Sequence, residues 1–176
     1  LYVGGGAIIA GCHKEVVALA EKMNIPTTMT LMGLGAMPKE HKLFLGMLGM
    51  HGTYYANHAI QNSDLLIAVG ARFDDRVTGK LDEFAKGAKI IHIDIDPTSI
   101  SKNVKVDVPV VGDAKDILKK MLTKIKSMKN KHSGWIKTIE NWKKDHPLGY
   151  KKDTKLRPQY VLEKLSELTK GEAIMV

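Results

Sequence analysis

The run Asp64-Leu65-Leu66-Ile67-Ala68-Val69-Gly70 is the most telling segment of this 176-residue sequence. Five consecutive aliphatic residues between an aspartate and a glycine are typical of a strand buried on both faces of a parallel sheet. Residues 1–3, 25–30, 89–96 and 108–113 are further strand candidates. Amphipathic helical patterns cover residues 12–23, 53–62, 114–128, 135–144 and 158–169. Because strands and helices alternate, the sequence predicts an α/β domain.

The predicted fold is a three-layer, Rossmann-like α/β domain with a mainly parallel, about six-stranded sheet and helices on both faces. Residues 31–52 fit no regular period and hold five glycines together with many apolar side chains. An irregular segment of this length in a compact domain is usually functional. We expect a buried loop with a short helix at most, covered by a ligand or by a neighbouring domain.

The charge of the chain is unevenly distributed. Its formal net charge is +8, but residues 1–113 carry 11 Lys and Arg against 12 Asp and Glu, whereas residues 114–176 carry 16 against 7. A nucleic-acid site would therefore have to lie in residues 114–176, where lysines predominate and aromatics are few. A solvated helical face with a linker is the favoured interpretation, and we expect no nucleic-acid partner.

Targeting and redox signals are sparse. The sequence has no apolar run of roughly 18 residues and no secretory signal, so we expect no membrane association. The lone Cys12 cannot form an internal disulfide. A cytoplasmic location is therefore the expectation.

A glycine-rich turn, Gly4-Gly5-Gly6, stands between the first predicted strand and helix, where backbone N–H groups can meet a phosphate. The dinucleotide fingerprint would need a third glycine at Ile9, and the P-loop pattern fails because Gly11 is followed by Cys12. No acid ends the second strand to bind a ribose. A standard NAD site is thus disfavoured, and a glycine turn without a ligand stays an alternative.

Charged residues follow three predicted strands at the sheet edge where ligands of open α/β sheets bind. Asp94 and Asp96 end one strand and Asp113 ends the next, in positions suited to ribose hydroxyls or to turn chemistry. The loop Gly70-Ala71-Arg72-Phe73-Asp74-Asp75-Arg76-Val77-Thr78-Gly79 follows the apolar strand. Its arginines suit a pyrophosphate or an acid, although a self-paired ion network is the alternative.

Catalytic and metal motifs are not found. The seven histidines show no metal-ligand spacing, a single cysteine makes structural zinc improbable, and no nucleophile elbow is present. We therefore expect a binding domain with no catalytic residues of its own and no metal.

Several stretches together resemble the central domain of the acetolactate synthase catalytic large subunit. They are Thr30-Leu31-Met32-Gly33-Leu34-Gly35, Met47-Leu48-Gly49-Met50-His51-Gly52-Thr53 and Arg72-Phe73-Asp74-Asp75-Arg76-Val77-Thr78-Gly79, with Tyr2 to Gly6, His92 to Asp96 and Val111 to Asp113. The Arg72 to Gly79 run is the specific part, and the resemblance covers nearly the whole chain.

The resemblance implies a thiamine-diphosphate-dependent transferase that decarboxylates pyruvate and condenses it with pyruvate or 2-oxobutyrate in the biosynthesis of valine and isoleucine. It implies FAD in this domain, in a structural role without net redox chemistry. Thiamine diphosphate and Mg²⁺ would bind the two outer domains. The implied partners are the flanking domains, a second copy in a homodimer or tetramer, and a regulatory small subunit.

The resemblance also assigns site residues. It places FAD phosphates, ribose and adenine near Gly4, Gly5, Gly6, Gly70, Ala71, Arg72, Asp94, Ile95, Asp113 and Ala114. It places the flavin along Thr30, Leu31, Met32, Leu48, Gly49, Met50 and His51, with Asp74 and Arg76 nearby. Asp75 and Arg76 would also face the substrate channel.

The ends of the sequence suggest a piece of a longer polypeptide. It opens on Leu1 without an initiator Met and stops in the strand-like run Ala173-Ile174-Met175-Val176. We expect an FAD-binding central domain over residues 1–128, a basic helical extension and linker over 129–157, and the start of a thiamine-diphosphate-binding domain over 158–176. Such a piece should be inactive alone. The alternative function is an NAD(P)-dependent oxidoreductase nucleotide-binding domain.

Overall fold

One parallel sheet organises the main body of the protein, which is described here from a computed structural model for residues 1–127, 131–153 and 155–175. Its strands are β1 (Tyr2–Val3), β2 (Thr27–Met29), β3 (Phe44–Met47), β4 (Leu65–Val69), β5 (Lys89–Asp94) and β6 (Val108–Val111). They lie in the order β3-β2-β1-β4-β5-β6, and every neighbouring pair is parallel.

Helices occupy three of the connections between successive strands, and three more follow the sheet. They are α1 (Gly5–Ile9), α2 (His13–Met23), α3 (Tyr54–Gln61), α4 (Asp75–Thr78), α5 (Ala114–Lys124), α6 (Ser133–Asp145) and α7 (Pro158–Leu168). Short 3₁₀ turns occupy Leu31–Gly33, Leu81–Glu83 and Pro97–Ser99. Two of these helices begin at a side-chain cap: Thr53 accepts from the Ala56 N–H at the start of α3, and Asp113 accepts from the Asp116 N–H at the start of α5.

The two faces of the sheet carry separate apolar layers, because successive strand residues point to opposite sides. Ile67 and Val69 of β4 pack with α2 and α5, through residues such as Leu19 and Leu118. Leu66 and Ala68 of β4 pack with α3 and α6 on the other face. The predicted three-layer α/β fold with helices on both faces is confirmed.

The strand order reverses between β1 and β4, which are hydrogen-bonded neighbours. In open α/β sheets such a switch point leaves a crevice outside the carboxyl ends of the strands, since the connections leave in opposite directions. The glycine-rich segment after β1 and the arginine-containing loop after β4 both begin there. The topology therefore brings the two most conspicuous motifs of the sequence to one place.

Four local predictions were wrong. The segment 31–52 contains strand β3, which completes the sheet, instead of being irregular throughout. The glycine turn continues directly into helix α1, and the polar loop 70–79 contains helix α4. The strand-like run at the end forms no strand over residues 172–175, and Val176 lies outside the described residues.

The chain divides into two compact units, Leu1–His146 and a second unit that begins at Pro147. The second unit holds α7, which starts at Pro158 after Arg157, whose guanidinium binds the Asp153 carboxylate. The proposed domain scheme with boundaries at 128 and 157 stays a prediction, and the end of the predicted helix 114–128 at Met128 falls outside the described residues. Within the described ranges, no helix combines the length and apolar character required to cross a membrane.

Candidate functional site

Crowded glycines form the floor of the crevice at the switch point. The Gly4 N–H donates to the Val69 carbonyl at 2.9 Å and the Gly6 N–H donates to the Gly70 carbonyl at 3.0 Å. A Cβ on Gly4 would lie 2.2 Å from the Gly70 oxygen, and one on Gly6 would lie 2.7 Å from the Gly70 Cα. The segments that follow β1 and β4 therefore leave the sheet in direct backbone contact, and only glycine fits at these positions.

The segment after β2 forms the next wall of the crevice. Thr30 caps the turn Leu31–Gly33 by accepting the Gly33 N–H at 3.1 Å. Gly33 lies against β1, where an added Cβ would meet the Val3 oxygen at 2.4 Å. Leu31 and Met32 are left 69% and 74% exposed, so their apolar side chains face outward from a tightly held backbone.

The segment after β3 approaches the loop after β4. Gly49 has a φ of +92°, and a Cβ there would lie 2.4 Å from the Arg76 oxygen, so only glycine fits. The Met50 N–H donates to that same Arg76 oxygen at 2.8 Å. His51 and the 63% exposed Met50 follow on the outer side of this contact. A cavity of about 250 Å³ lies beside it, lined by Met50, Asp75 and Arg76 among others.

The loop after β4 carries four charged side chains, all largely exposed. The Arg72 guanidinium contacts the Asp74 carboxylate at 3.1 Å, and Arg76 lies 4.0 Å from Asp75. The self-paired network considered from the sequence is thus present. Exposed ion pairs of this kind contribute little to stability, so an anionic ligand can compete for the arginines.

Phe73 anchors this loop from below. It is 2% exposed, has a φ of +56°, and packs its ring 5.3 Å from Tyr2 and 5.1 Å from His92. Burial, reinforced by the negative charge of Asp74, raises the pKa of the Tyr2 hydroxyl above its ordinary value. The loop with its four charged side chains therefore rests on a buried aromatic cluster, in which the Tyr2 hydroxyl is uncharged.

The acids at the ends of β5 and β6 differ in their local roles. Asp94 is 8% exposed and accepts the Asp96 N–H at 2.9 Å. Asp96 caps the Pro97–Ser99 turn, and hydrogen bonds from Thr98 lower the pKa of its carboxyl. Asp113 caps α5, in which Ala114 is the first residue. Turn chemistry therefore accounts for Asp96 and Asp113 without a ligand, although both lie at the carboxyl edge.

The structure brings every sequence-predicted site residue to the carboxyl ends of the strands. Gly4 to Gly6 follow β1, Thr30 to Met32 follow β2, Leu48 to His51 follow β3, and Gly70 to Arg76 follow β4. Asp94 ends β5 and Ile95 comes next, and Asp113 and Ala114 follow β6. A larger cavity of about 650 Å³ lies elsewhere, between α2 and residues 34–39. The carboxyl edge, unlike that cavity, gathers both the glycine turns and the arginines that suit a phosphate.

Sequence reasoning missed three polar residues that support this edge. Asn57 and Asn103 donate side-chain hydrogen bonds to the backbone of the loops after β3 and β4. His92 is fully buried beneath Asp94, and its ring nitrogens find no hydrogen-bond partner among the described residues. Nothing in the sequence marks these asparagines, since surface asparagines are common. In the described ranges no cluster of three or more metal-ligating side chains occurs.

The architecture and the crevice define a doubly wound α/β domain with a ligand-binding edge of the kind that holds nucleotides. Residues 1–121 match the family model of the thiamine pyrophosphate enzyme central domain. The chain belongs to this family.

Several similar proteins carry the name acetolactate synthase. The acetolactate synthase isozyme 3 large subunit of Escherichia coli (strain K12) is 48% identical over 180 residues, which is 98% of this chain and 31% of that protein. The acetolactate synthase large subunit of Corynebacterium glutamicum is 49% identical over 179 residues, and acetolactate synthase 2, chloroplastic, of Zea mays is 48% identical over 180. These two matches cover 99% of this chain and 29% and 28% of the respective relatives. The chain thus spans about 30% of the length of these relatives.

Proposed function

We propose that this chain is the central domain of an acetolactate synthase large subunit and that it holds FAD along the carboxyl edge of its sheet. The observation that carries the proposal is the gathering of glycine, arginine and carboxylate loops around the switch point between β1 and β4. The 48% identity to an acetolactate synthase large subunit over nearly the whole chain supports the particular enzyme.

The residues present fit such a dinucleotide. Gly4 to Gly6 lie at the switch point between the end of β1 and helix α1, where we propose that the pyrophosphate approaches the backbone, and Arg72 offers an exposed guanidinium. Asp94 and Asp113 each use Oδ1 to accept a nearby backbone N–H, and we propose that the second oxygen of each carboxylate binds a ribose hydroxyl. Exposed apolar side chains on the same edge (Leu31, Met32, Met50 and Ile95) suit flat aromatic rings.

Bound FAD would supply a structural element of the crevice rather than redox chemistry. The protein residues would hold it: the arginines would neutralise the phosphates, and the apolar side chains would exclude water from the rings. Asp75 and Arg76, which project 81% and 72% exposed side chains beyond this edge, are proposed to face the substrate channel.

The activity of the whole protein is proposed from the relatives. The full enzyme would decarboxylate pyruvate and condense it with pyruvate or 2-oxobutyrate, with thiamine diphosphate and Mg²⁺ held by domains outside this chain. Its proposed partners are the flanking domains, further copies of the large subunit and a regulatory small subunit. The chain by itself should form no acetolactate from pyruvate, and the cytoplasmic location stays a prediction.

The alternative, an NAD(P)-dependent oxidoreductase domain, shares the strand order but lacks the residues for the cofactor. Position 9 of the glycine segment is Ile9, and β2 ends at Met29 with Thr30 following, so no carboxylate is present there to bind a ribose. NAD⁺ and NADP⁺ therefore serve as control ligands.

The test is a titration of the 176-residue chain with FAD, followed by the change in flavin fluorescence. We expect saturable binding that Arg72→Ala weakens by about 10-fold to 100-fold, because a charge-assisted contact to phosphate is lost. Arg157→Ala, which removes an arginine bound to Asp153, should bind like the unsubstituted chain. Equal binding of NAD⁺, or no FAD binding at millimolar concentration, would overturn the proposal.

A further inference from the structure

Asn57 holds the loop after β3 through both of its side-chain polar atoms. Its Oδ1 accepts the Gly49 N–H at 2.7 Å, and its Nδ2 donates to the Gly49 carbonyl at 3.0 Å. Asn57 lies on α3, a helix packed on the sheet through Ala56 and Ile60, so the clamp has a rigid base. The Gly49 peptide groups are fixed relative to the sheet as a result.

The clamp on Gly49 extends to the loop after β4. The next residue, Met50, donates its N–H to the Arg76 carbonyl at 2.8 Å. Because the Gly49 backbone also lies close to Arg76, with no room for a Cβ between them, the Arg76 backbone is held from this side. Asn57 therefore determines the position of the C-terminal end of the charged segment Arg72 to Arg76.

Asn103 holds the other end of that segment. Its Nδ2 donates to the Arg72 carbonyl at 3.2 Å and to the Phe73 carbonyl at 3.0 Å. Phe73 is in the left-handed region, at a φ of +56°, which is unfavourable for a bulky residue and persists only where surrounding contacts maintain it. Two kinds of contact maintain it: the Phe73 ring is buried, and the Asn103 amide binds the Arg72 and Phe73 carbonyls.

Both clamps act on backbone carbonyl and N–H groups and leave the charged side chains exposed. The Arg72, Asp74 and Arg76 side chains are 71%, 53% and 72% exposed, so nothing else in the described part of the chain buries them. A binding loop whose backbone is already ordered loses less conformational entropy when a ligand arrives. Two uncharged residues outside the loop can thus raise its affinity for an anionic ligand.

We propose that Asn57 and Asn103 are positioning residues that fix the Arg72 to Arg76 segment for a dinucleotide before it binds. The inference rests on the proposed function for its ligand, whereas the order of the loop can be measured without any ligand. Both amide groups make their hydrogen bonds to loop backbone, so the effect on affinity that we propose is indirect.

The experiment compares Asn103→Asp and Asn57→Asp with the unsubstituted chain. Each change keeps the shape of the side chain and replaces the NH₂ donor with a carboxylate oxygen, which repels the carbonyls it faces. The matched control is Asn62→Asp, because the Asn62 Nδ2 donates to the His58 carbonyl at 2.8 Å at the end of α3 and not to this loop.

Two quantities are measured: amide hydrogen exchange of the chain without ligand, and the dissociation constant for FAD. We expect Asn103→Asp and Asn57→Asp to accelerate exchange at residues 72–78 or at Met50 about 10-fold and to weaken FAD binding about 3-fold to 10-fold. The melting temperature should stay within a few degrees of that of Asn62→Asp. Asn103→Ala and Asn57→Ala provide the test if an added carboxylate prevents folding.

The outcomes separate the two ideas. Unchanged exchange in the loop, or faster exchange with unchanged FAD affinity, overturns the positioning role. If the unsubstituted chain fails to bind FAD, the proposed function fails and the positioning role for that ligand fails with it, whatever the exchange shows. Exchange that rises over the whole sheet in both variants, but not in Asn62→Asp, would assign the asparagines to global stability instead.

Discussion

Backbone crowding at single residues sets how closely the segments after β1 and β4 approach each other. Gly70 has a φ of +57°, and a Cβ there would lie 2.6 Å from the Gly6 Cα. A Cβ added at Gly4 would likewise lie too close to the Gly70 oxygen, at 2.2 Å. Any side chain at these positions would separate β1 from β4, so these glycines have a structural role that is independent of any ligand.

Gly4→Ala is therefore expected to destabilise the domain by about 2 kcal/mol or more, because a backbone oxygen must move away from the new methyl group. The matched control is Gly134→Ala in α6, where an added Cβ meets no atom within 4 Å. That change should be neutral or stabilise by about 0.5 kcal/mol, since alanine favours helix. Urea unfolding of both variants checks the pair, and equal stabilities would contradict the crowding argument.

His92 gives the domain a dependence on pH. Burial lowers its pKa below the ordinary value of 6.5, and the attraction of Asp94 opposes this only in part. Below pH 6.5 the unfolded chain therefore binds a proton that the folded chain does not yet bind. The stability contributed by neutral His92 is present above that pH and is lost as the pH falls toward the lowered folded value.

His92→Leu tests this pH dependence, because it replaces the titrating imidazole with an apolar side chain of similar size. The free energy of unfolding of the unsubstituted chain should fall between about pH 7 and pH 5.5, and that of the variant should fall less. Urea unfolding at both pH values measures the difference. Parallel pH dependences in the two proteins would show that another group is responsible.

The polar residues of the site could be predicted from the sequence only in part. Arg72, Asp74 and Asp94 were identified because they follow apolar strands, and the strand direction then fixes the edge at which they lie. The sequence could not tell whether an acid binds a ligand or caps a turn. For Asp113 the structure shows the capping hydrogen bond to the Asp116 N–H, which any helix start of this kind permits.

Strand β3 is the element that sequence reasoning missed. Its residues, Phe44 to Met47, include Gly46 with a φ of +77°, and its register with β2 shifts between Thr27 and Met29. A short strand with an interior glycine and a bulge has neither a period of two nor an apolar run, so tertiary pairing alone defines it. The longer strands β4 and β5 were predicted from their apolar runs.

Thr53 connects β3 to α3. Its hydroxyl donates to the Leu45 carbonyl at 2.8 Å and accepts the Ala56 N–H at 3.1 Å. Thr53→Val keeps the shape and removes both bonds, and should cost about 1 to 3 kcal/mol of unfolding free energy. Thr53→Ser retains the hydroxyl and should cost less. Denaturant unfolding compares the two, and a valine variant as stable as the serine variant would contradict the role of the hydroxyl.

At the scale of the whole molecule, the direction of the strands explains why residues from Gly4 to Asp113 converge on one edge. The alternation of apolar and amphipathic segments was enough to predict the layers, because each strand and helix buries its own face. The strand order was not predictable from periodicity, since pairing over long sequence separations depends on the packing of the complete sheet. The exposed Leu31, Met32 and Ile95 on that edge agree with a surface that a ligand or another domain covers.

A ligand that binds only the folded domain stabilises it in proportion to the logarithm of its concentration. Saturating FAD at about 100 times its dissociation constant should therefore add about 2.7 kcal/mol to the unfolding free energy and raise the melting temperature by several degrees. The Arg72→Ala variant should gain less at the same concentration. Thermal unfolding with and without FAD measures this, and an FAD-independent melting temperature would contradict binding to the folded state.

The central claim is that the carboxyl edge of the sheet holds a flavin dinucleotide, and a crystal structure of the 176-residue chain grown with FAD tests it most directly. We expect electron density for adenine and ribose beside Asp94 and Ile95, for the pyrophosphate between Gly4 to Gly6 and Arg72, and for the flavin near Met32 and Met50. Density for FAD at another place, such as the cavity between α2 and residues 34–39, or an edge free of flavin at saturating concentration, would contradict it.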